Sequence, residues 1–578
     1  MAQNFTLRLP PGMAVLRPNR WDWVAVPVFV VVIAVLITAS RQMHVPILTL
    51  QKIPITLDKT ALPGYAARTT LRLLLALIPS LLFTFIVGPL AAKSRRFGLI
   101  IVPLLDIMQS IPVLGYVTFT ITIFLALFPN NVLGVESAAI FAVFTAQVWN
   151  MTFSFYQSLR TVPRDLLEAA TSFGLTSWQK FWRLEVPYAM PGLLWNIVLS
   201  MAASWFYIVA QETISVGNLN YSLPGIGSYL SLAISQRDLG AVAAAIGAMT
   251  VVIMLYDQLL FRPLVAWADR FKVELSASQQ SPRSWFYDLL RRTRLMTGVG
   301  KGLVRLYSWV ARRQWGRVKQ LAAPEESVSG RRWGDFAWLG LLGVLALLAA
   351  WRIVHFFSDV VGWAETGRVF VLAAYTMLRV FALVIISTLI WVPLGTAIGL
   401  RPKLVEFFQP LSQFLAAFPA NVIYPVAVVL ILRLHLNPQI WVCAVMLIGA
   451  QWYVLFNIIA GASMIPTDLR EAAASLGLRR TLLWRRLYLP SIFPFLITGL
   501  QTAWGGAWNA SIVAEVMNWG SEQVKASGVG AYISENTTAG NANHVALGIG
   551  IMALFVVTFN RILWRPLYNL AANRLRCD

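Results

Sequence analysis

Twice along this chain two carboxylates, two alanines and a glycine recur at one spacing: Asp165, Glu168, Ala169, Ala170 and Gly174, then Asp468, Glu471, Ala472, Ala473 and Gly477. The spacing sets Asp and Glu at the start of a helix, where they meet its positive end and can satisfy free backbone N–H groups. The alanines present a small-residue surface that permits close approach. The glycine, six residues after each Glu, suits a left-handed cap that ends the helix and turns the chain. Aligned without a gap, Pro163–Pro187 and Pro466–Pro490 are identical at 12 of 25 positions. Each continues into a second, basic helix, with Lys180 and Arg183 or Arg485 and Arg486, and ends at a proline. A soluble-looking helix pair between long apolar runs offers recognition: a dock for a soluble partner, present twice.

A second set of residues stands inside apolar runs, where polar groups are functional candidates. Pro112 and Pro419 interrupt two such runs and free backbone groups that can line a cavity. Gln147 and Gln451, then Trp205, Gln211, Glu212, Trp508, Asn509 and Glu515, complete the candidates for a solute pathway. Phe206 of one half stands opposite Asn509 of the other, so the expected pathway is asymmetric. Arg72 and Arg379 form a matched pair near outer span ends, where snorkelling to the interface is the cheaper reading. Asp106 stands alone in an apolar run.

The elements that carry these residues follow from composition. Of 578 residues, 58% are hydrophobic and 12% charged, against about 25% charged in soluble domains. Several runs reach the roughly 20 residues that a spanning helix needs, without the alternation of a membrane β-barrel. The net charge of +22 is explained by basic cytoplasmic loops, so no nucleic acid is expected. Cys443 and Cys577 lie far apart and four histidines are scattered, so no metal or disulfide framework is expected. The N-terminus reads as lacking a cleavable signal.

Spans are expected near Trp21–Thr38, Leu71–Ala92, Leu99–Phe128, Ala138–Tyr156, Tyr188–Glu212 and Leu239–Phe261. The same series returns near Phe336–Phe356, Val371–Leu400, Val405–Leu432, Ile440–Ala460, Ser491–Val516 and His544–Leu563. Arg72 and Arg379, and Pro112 and Pro419, are 307 residues apart; Glu168 and Glu471, Trp205 and Trp508, and Glu212 and Glu515 are 303 apart. One change of four residues between the third span and the helix pair explains the switch, and such self-similarity outranks any local motif. The domains are therefore a first half, 1–262 (core 69–262), a connector, 263–334, and a second half, 335–578 (core 371–567). Counted from Arg262 to Gly334, the connector holds fifteen Lys/Arg and five Asp/Glu; it reads equally as a linker or as an amphipathic helix at a membrane surface. An even number of spans per half makes the repeat parallel, with the pathway between the halves. The Lys/Arg bias puts both termini, the connector and both helix pairs in the cytoplasm.

The EAA---G motif between the fourth and fifth spans, followed by a basic helix and proline, resembles the coupling loop of ABC importer permeases of the binding-protein-dependent type. The resemblance covers nearly the whole chain as two fused permease domains. With the Gly-x-Gly-x-Tyr loops, it is most similar to the nitrate/sulfonate/taurine/bicarbonate group. It implies an all-α polytopic membrane protein of about 12 transmembrane helices, two parallel six-helix halves of the type I importer fold, in a bacterial inner membrane. It also implies two ABC ATP-binding subunits as partners, identical or not, each taking one coupling helix in a groove. ATP and Mg²⁺ would be used by those partners: Gly298–Gly302 lacks the spacing and hydroxyl of a phosphate loop. The chain itself is then no enzyme and binds no cofactor. A small solute, an anion by resemblance, is the expected cargo; whether a periplasmic or lipid-anchored binding protein delivers it stays open. Two other readings are an ion-gradient-driven transporter of two parallel repeats and a non-transporting membrane scaffold.

Overall fold

The computed structural model describes residues 55–216, 219–268, 284–315, 351–478 and 480–574, with isolated positions between 22 and 38 and between 338 and 348. The expected spans Trp21–Thr38 and Phe336–Phe356 therefore lie largely outside the described residues.

The first half runs α1 (Leu62–Lys93), α2 (Arg95–Ser110), α3 (Val117–Leu127), α4 (Val132–Arg160), the short α5 (Arg164–Ser172) and α6 (Ser177–Lys180), and α7 (Val186–Gln211). An antiparallel hairpin follows, β1 (Thr213–Val216) with β2 (Leu219–Ser222), then α8 (Ile226–Ser235), α9 (Leu239–Tyr256) and α10 (Arg262–Ala268). The connector carries α11 (Trp285–Arg292) and α12 (Arg294–Arg312). The second half repeats the series as α13 (Trp363–Gly399), α14 (Pro402–Ala417), α15 (Tyr424–Arg433), α16 (Pro438–Ser463), α17 (Thr467–Ser475), α18 (Arg480–Leu483) and α19 (Leu489–Ala514). It closes with β3 (Val516–Trp519), β4 (Glu522–Lys525), α20 (Val529–Ala539), α21 (Ala542–Phe559) and α22 (Arg565–Arg574).

Among the described residues, 7 helices are long and apolar enough to cross a membrane. The third expected span of each half is two helices instead, α2 with α3 and α14 with α15, broken at Pro112 and Pro419. The second span starts at Leu62 rather than near Leu71, because Pro63 occupies the first turn, where its missing N–H costs nothing. Ile78, Leu82 and Ile86 form one exposed stripe on α1, and Leu378, Ile385 and Leu389 another on α13. Apolar stripes of this extent belong against lipid.

The change of offset resolves into two places. α3 has 11 residues and α15 has 10; α4 has 29 and α16 has 26. One residue and nearly one helical turn account for the four. Close helix contacts inside each half use small residues, as membrane bundles do: Gly88 lies against Phe155, and Gly461 against Phe495.

Where the fifth and sixth spans meet their flanking elements, the helix widens into a π-turn: Phe181–Glu185 and Asp257–Phe261, and at the same places Trp484–Tyr488 and Asn560–Trp564. Each inserts one residue into the ladder, a feature often found at functional sites.

Candidate docking face and translocation seam

At one end of the bundle each helix pair closes as its spacing requires. Gly174 has φ 67° and Gly477 φ 65°, a left-handed conformation that favours glycine. The N–H of Leu175 donates to Ala170 O at 3.1 Å and that of Gly174 to Thr171 O at 2.9 Å. Leu478 to Ala473 and Gly477 to Ala474, both 3.0 Å, repeat the arrangement. These are Schellman caps, which satisfy the last carbonyls of the helix. The helix starts differ from the expectation: Pro163 and Pro466 are the N-caps and no side chain bonds a free N–H there. Asp165 and Asp468 lie inside the first turn, so they act on the helix end by charge alone.

Asp165, Glu168, Ala169 and Gly174 are exposed, as are Asp468, Glu471, Ala472 and Gly477. Ala170 and Ala473 are buried, so only one alanine of each pair faces outward. Among the described residues the most exposed large apolar side chains stand beside the glycines: Phe173 is 82% and Leu476 76% exposed, and Leu166 and Leu469 are exposed at 40% each. Sequence reading passed over these four, although each pair keeps the 303-residue offset. A large apolar residue held out on a glycine-capped turn has the shape that could fill a partner's pocket.

The two pairs are not equivalent. Trp178 Nε1 donates to Val310 O at 2.8 Å, Gln179 Nε2 to Arg312 O at 3.2 Å, and the N–H of Trp178 to Trp315 O at 3.3 Å. The Tyr307 hydroxyl donates to Trp182 O. The connector is thus helical, amphipathic and hydrogen-bonded to the first helix pair. Gly298–Gly302 lies within α12, and a helix offers no loop to cradle a phosphate.

At the opposite end a buried ion-pair cluster joins four elements. Arg72 donates Nε to Glu136 Oε2 at 2.6 Å, Nη2 to Glu136 Oε1 at 2.8 Å and Nη1 to Glu212 Oε1 at 2.6 Å. Thr69 Oγ1 and the Gly227 N–H also donate to Glu212, at 2.5 and 2.7 Å. In the second half Arg379 Nη1 reaches Glu515 Oε1 at 2.8 Å, with Thr376 and the Ala531 N–H on the same carboxylate. Gln439 takes the place of Glu136, accepting from Arg379 Nη2 at 2.6 Å. Arg72 is fully buried and Arg379 nearly so, which overturns the snorkelling expectation: both face carboxylates inside the bundle rather than the interface. Glu212 and Glu515 cap the N-termini of α8 and α20, where an anion is favoured. The Gly-x-Gly of each loop makes room for this. A Cβ at Gly225 would fall 2.2 Å from the Glu212 carboxylate, and one at Gly227 2.1 Å from Val209 O. Gly225→Ala is expected to destabilise the protein by about 1–3 kcal/mol, read as a lower denaturant midpoint in detergent; Gly64→Ala, with nothing near its Cβ, leaves the midpoint in place.

Between the halves runs a seam in which each half receives the other's broken span. The Val113 N–H, freed by the break after Pro112, donates to Asn509 Oδ1 at 2.8 Å. Asn421, beyond Pro419, donates Nδ2 to Phe206 O at 3.2 Å. Trp195 and Phe456 stack across the seam at 6.3 Å, and Arg565 reaches Asp106 at 3.7 Å. Of the pathway candidates, Pro112, Pro419 and Asn509 come together here. Trp205 packs edge-on to Tyr256, and Trp508 lies among Trp504 and Phe555, within their own halves. Gln147 is buried beside Ser80, Gln451 accepts from Trp391, and Gln211 is buried next to Glu212.

A duplicated bundle with apolar outward stripes, broken spans interlocked along a seam and two exposed helix pairs at one end has the architecture of a polytopic membrane permease of two parallel halves. Two stretches, 80–262 and 390–564, match the family model of the binding-protein-dependent transport system inner membrane component. Together they cover more than half the chain, and the chain belongs to this family. It is 31% identical over 192 residues to the glycine betaine/proline betaine transport system permease protein ProW of Escherichia coli (strain K12), covering 32% of this chain and 49% of ProW. It is 26% identical over 189 residues to the nitrate import permease protein NrtB of Leptolyngbya laminosa, covering 33% and 64% of the two chains. The bicarbonate transport system permease protein CmpB of Synechococcus elongatus is 30% identical over 132 residues, covering 23% and 46%. The matched stretches thus span about half to two thirds of these relatives' own lengths.

Proposed function

We propose that this chain is the fused transmembrane subunit of an ATP-driven importer, with its helix-pair end and both termini in the cytoplasm. Each helix pair docks one ATP-binding subunit, which uses ATP and Mg²⁺; this chain contributes the pathway and transmits the movement. The observation that carries the reading is the duplicated Schellman-capped pair with Phe173 and Leu476 held out at the tips. Drawing the two docks together on ATP binding would rock the halves about the seam, because each fifth span continues directly from its pair through a π-turn. The solute passes between the halves, near Asn509, Asn421 and the two span breaks. Glycine betaine, nitrate and bicarbonate appear in the names of the relatives, and each carries a carboxylate or oxyanion. A small solute with an anionic group is therefore the proposed cargo.

The test is uptake into vesicles holding the purified chain with and without a purified ATP-binding subunit, the solute given alone or with a binding protein. Uptake is expected only with the ATP-binding subunit and ATP. Uptake without it that collapses with the proton gradient would replace this reading by a gradient-driven transporter.

A further inference from the structure

The connector helix α12 is built to lie on a lipid surface. Leu303, Leu306 and Val310 fall on one face at helical spacing, and Lys301, Arg305 and Arg312 on the opposite one. Leu303 is 62% and Leu306 58% exposed, so the apolar face is only partly covered by the protein. From Leu289 to Pro324 the chain has nine Lys/Arg and no Asp or Glu. The helix is held level with the ends of the spans. Trp285, on the preceding α11, donates Nε1 to Gln258 at 3.0 Å, in the π-turn that ends the sixth span. Trp178 and Trp182, which α12 holds, stand just before the fifth span begins. An apolar face at the bilayer boundary, backed by cationic residues without acidic ones, matches an anionic leaflet in both hydrophobicity and charge.

Among the described residues, the same helix bonds the first helix pair and no hydrogen bond joins it to the second. Trp178, Gln179 and Trp182 correspond at the 303-residue offset to Thr481, Leu482 and Arg485: Leu482 has no donor to replace the Gln179 amide, and neither Thr481 nor Arg485 has an aromatic ring. We propose that α12 binds anionic lipid headgroups of the cytoplasmic leaflet, and that this binding braces the first helix pair alone. The cytoplasmic placement rests on the function proposed above. Anionic lipid would then act on the transporter through one of its two docks.

The experiment uses the full chain with Cys443→Ser and Cys577→Ser, spin-labelled at Leu306→Cys or, as control, at Arg312→Cys. It is reconstituted in phosphatidylcholine alone or mixed with phosphatidylglycerol. With phosphatidylglycerol, the label at 306 is expected to be accessible to oxygen and shielded from an aqueous nickel chelate, and the label at 312 to stay in water. Replacing Lys301, Arg305 and Arg312 together by Gln should weaken surface partition roughly a hundredfold and return the 306 label to its position in phosphatidylcholine. Phosphatidylglycerol should also slow amide exchange severalfold at 178–182 and leave 481–485 unchanged. A 306 label equally wet in both lipids overturns the proposal, as does equal protection of both helix pairs. A label shielded only after an ATP-binding subunit is added assigns the face to protein and overturns it too. These readouts need no transport: a dry label in a chain that fails the uptake test would sink the importer reading alone, and a wet label in a chain that passes it would sink only this inference.

Discussion

Arg72→Ala is expected to cost about 3–5 kcal/mol, because it leaves the Glu136 and Glu212 carboxylates buried without their cation. Against a total stability of roughly 5–15 kcal/mol, that removes a large part of the folded population. The measurement is the denaturant midpoint and the yield of monodisperse protein in detergent. Glu136→Gln is the informative companion, since the second half already has Gln439 at that place. There the Ser527 N–H donates to Gln439 Oε1 and Gln439 Nε2 to Ser527 Oγ. Pro224 stands where Ser527 does and has no hydroxyl to accept from the new amide, while both Glu136 oxygens accept from Arg72, so the amide would point an unpaired donor at Arg72. The expected cost is about 1–3 kcal/mol, clearly below that of Arg72→Ala. Equal midpoints for Arg72→Ala and the unaltered chain would mean that the cluster does not hold α1, α4 and α7 to the hairpin loop.

Phe173→Ala combined with Leu476→Ala is expected to abolish the complex with the ATP-binding subunit while leaving the chain as stable as before. Both side chains are about four-fifths exposed in the free chain, so truncating them removes little from its core. If each fills a pocket as a hot spot, the loss is about 2 kcal/mol or more apiece. Two docks engaged at once multiply the effect, because the second event is intramolecular. The measurement is co-purification at graded concentrations of the subunit, with the chain's own unfolding midpoint as control. An intact complex would count against docking at these tips. A lost complex with a lowered midpoint would mean misfolding rather than a lost contact.

Much of the fold could be read from order and spacing. The caps at Gly174 and Gly477 follow from glycine's access to positive φ, a local property. The breaks at Pro112 and Pro419 follow from proline's missing N–H, equally local. The ion-pair cluster was not legible, because Glu136 and Glu212 lie 64 and 140 residues from Arg72 in sequence. A lone arginine in an apolar run looks the same whether it snorkels or meets a carboxylate. The matched offsets of Thr69 with Thr376, Arg72 with Arg379 and Glu212 with Glu515 were the one sign that these residues act together. The hairpins have no place in the series of spans. Their strands are four residues long, too short for alternation to show. Gly217-Asn218 and Gly520-Ser521, each two residues between short runs, are nonetheless hairpin signals. The connector's residues fit a linker and an amphipathic helix alike, and its bonds from Trp178 and Gln179 decide between them. Those bonds end on main-chain carbonyls, which no residue pattern announces.

The seam between the halves has the same property, and it bears on how the two halves can drift apart in sequence. Asn509 accepts from the main chain of Val113, and Asn421 donates to the main chain of Phe206. Every residue has a carbonyl and every residue but proline an N–H. Substitutions at Val113 or Phe206 therefore leave the hydrogen-bonding group in place, provided that proline does not replace Val113. Both asparagines stand in the second half, and the first-half residues they grip are free to vary. The first half can therefore diverge at these positions without the seam registering a mismatch, whereas the second half must keep its two asparagines.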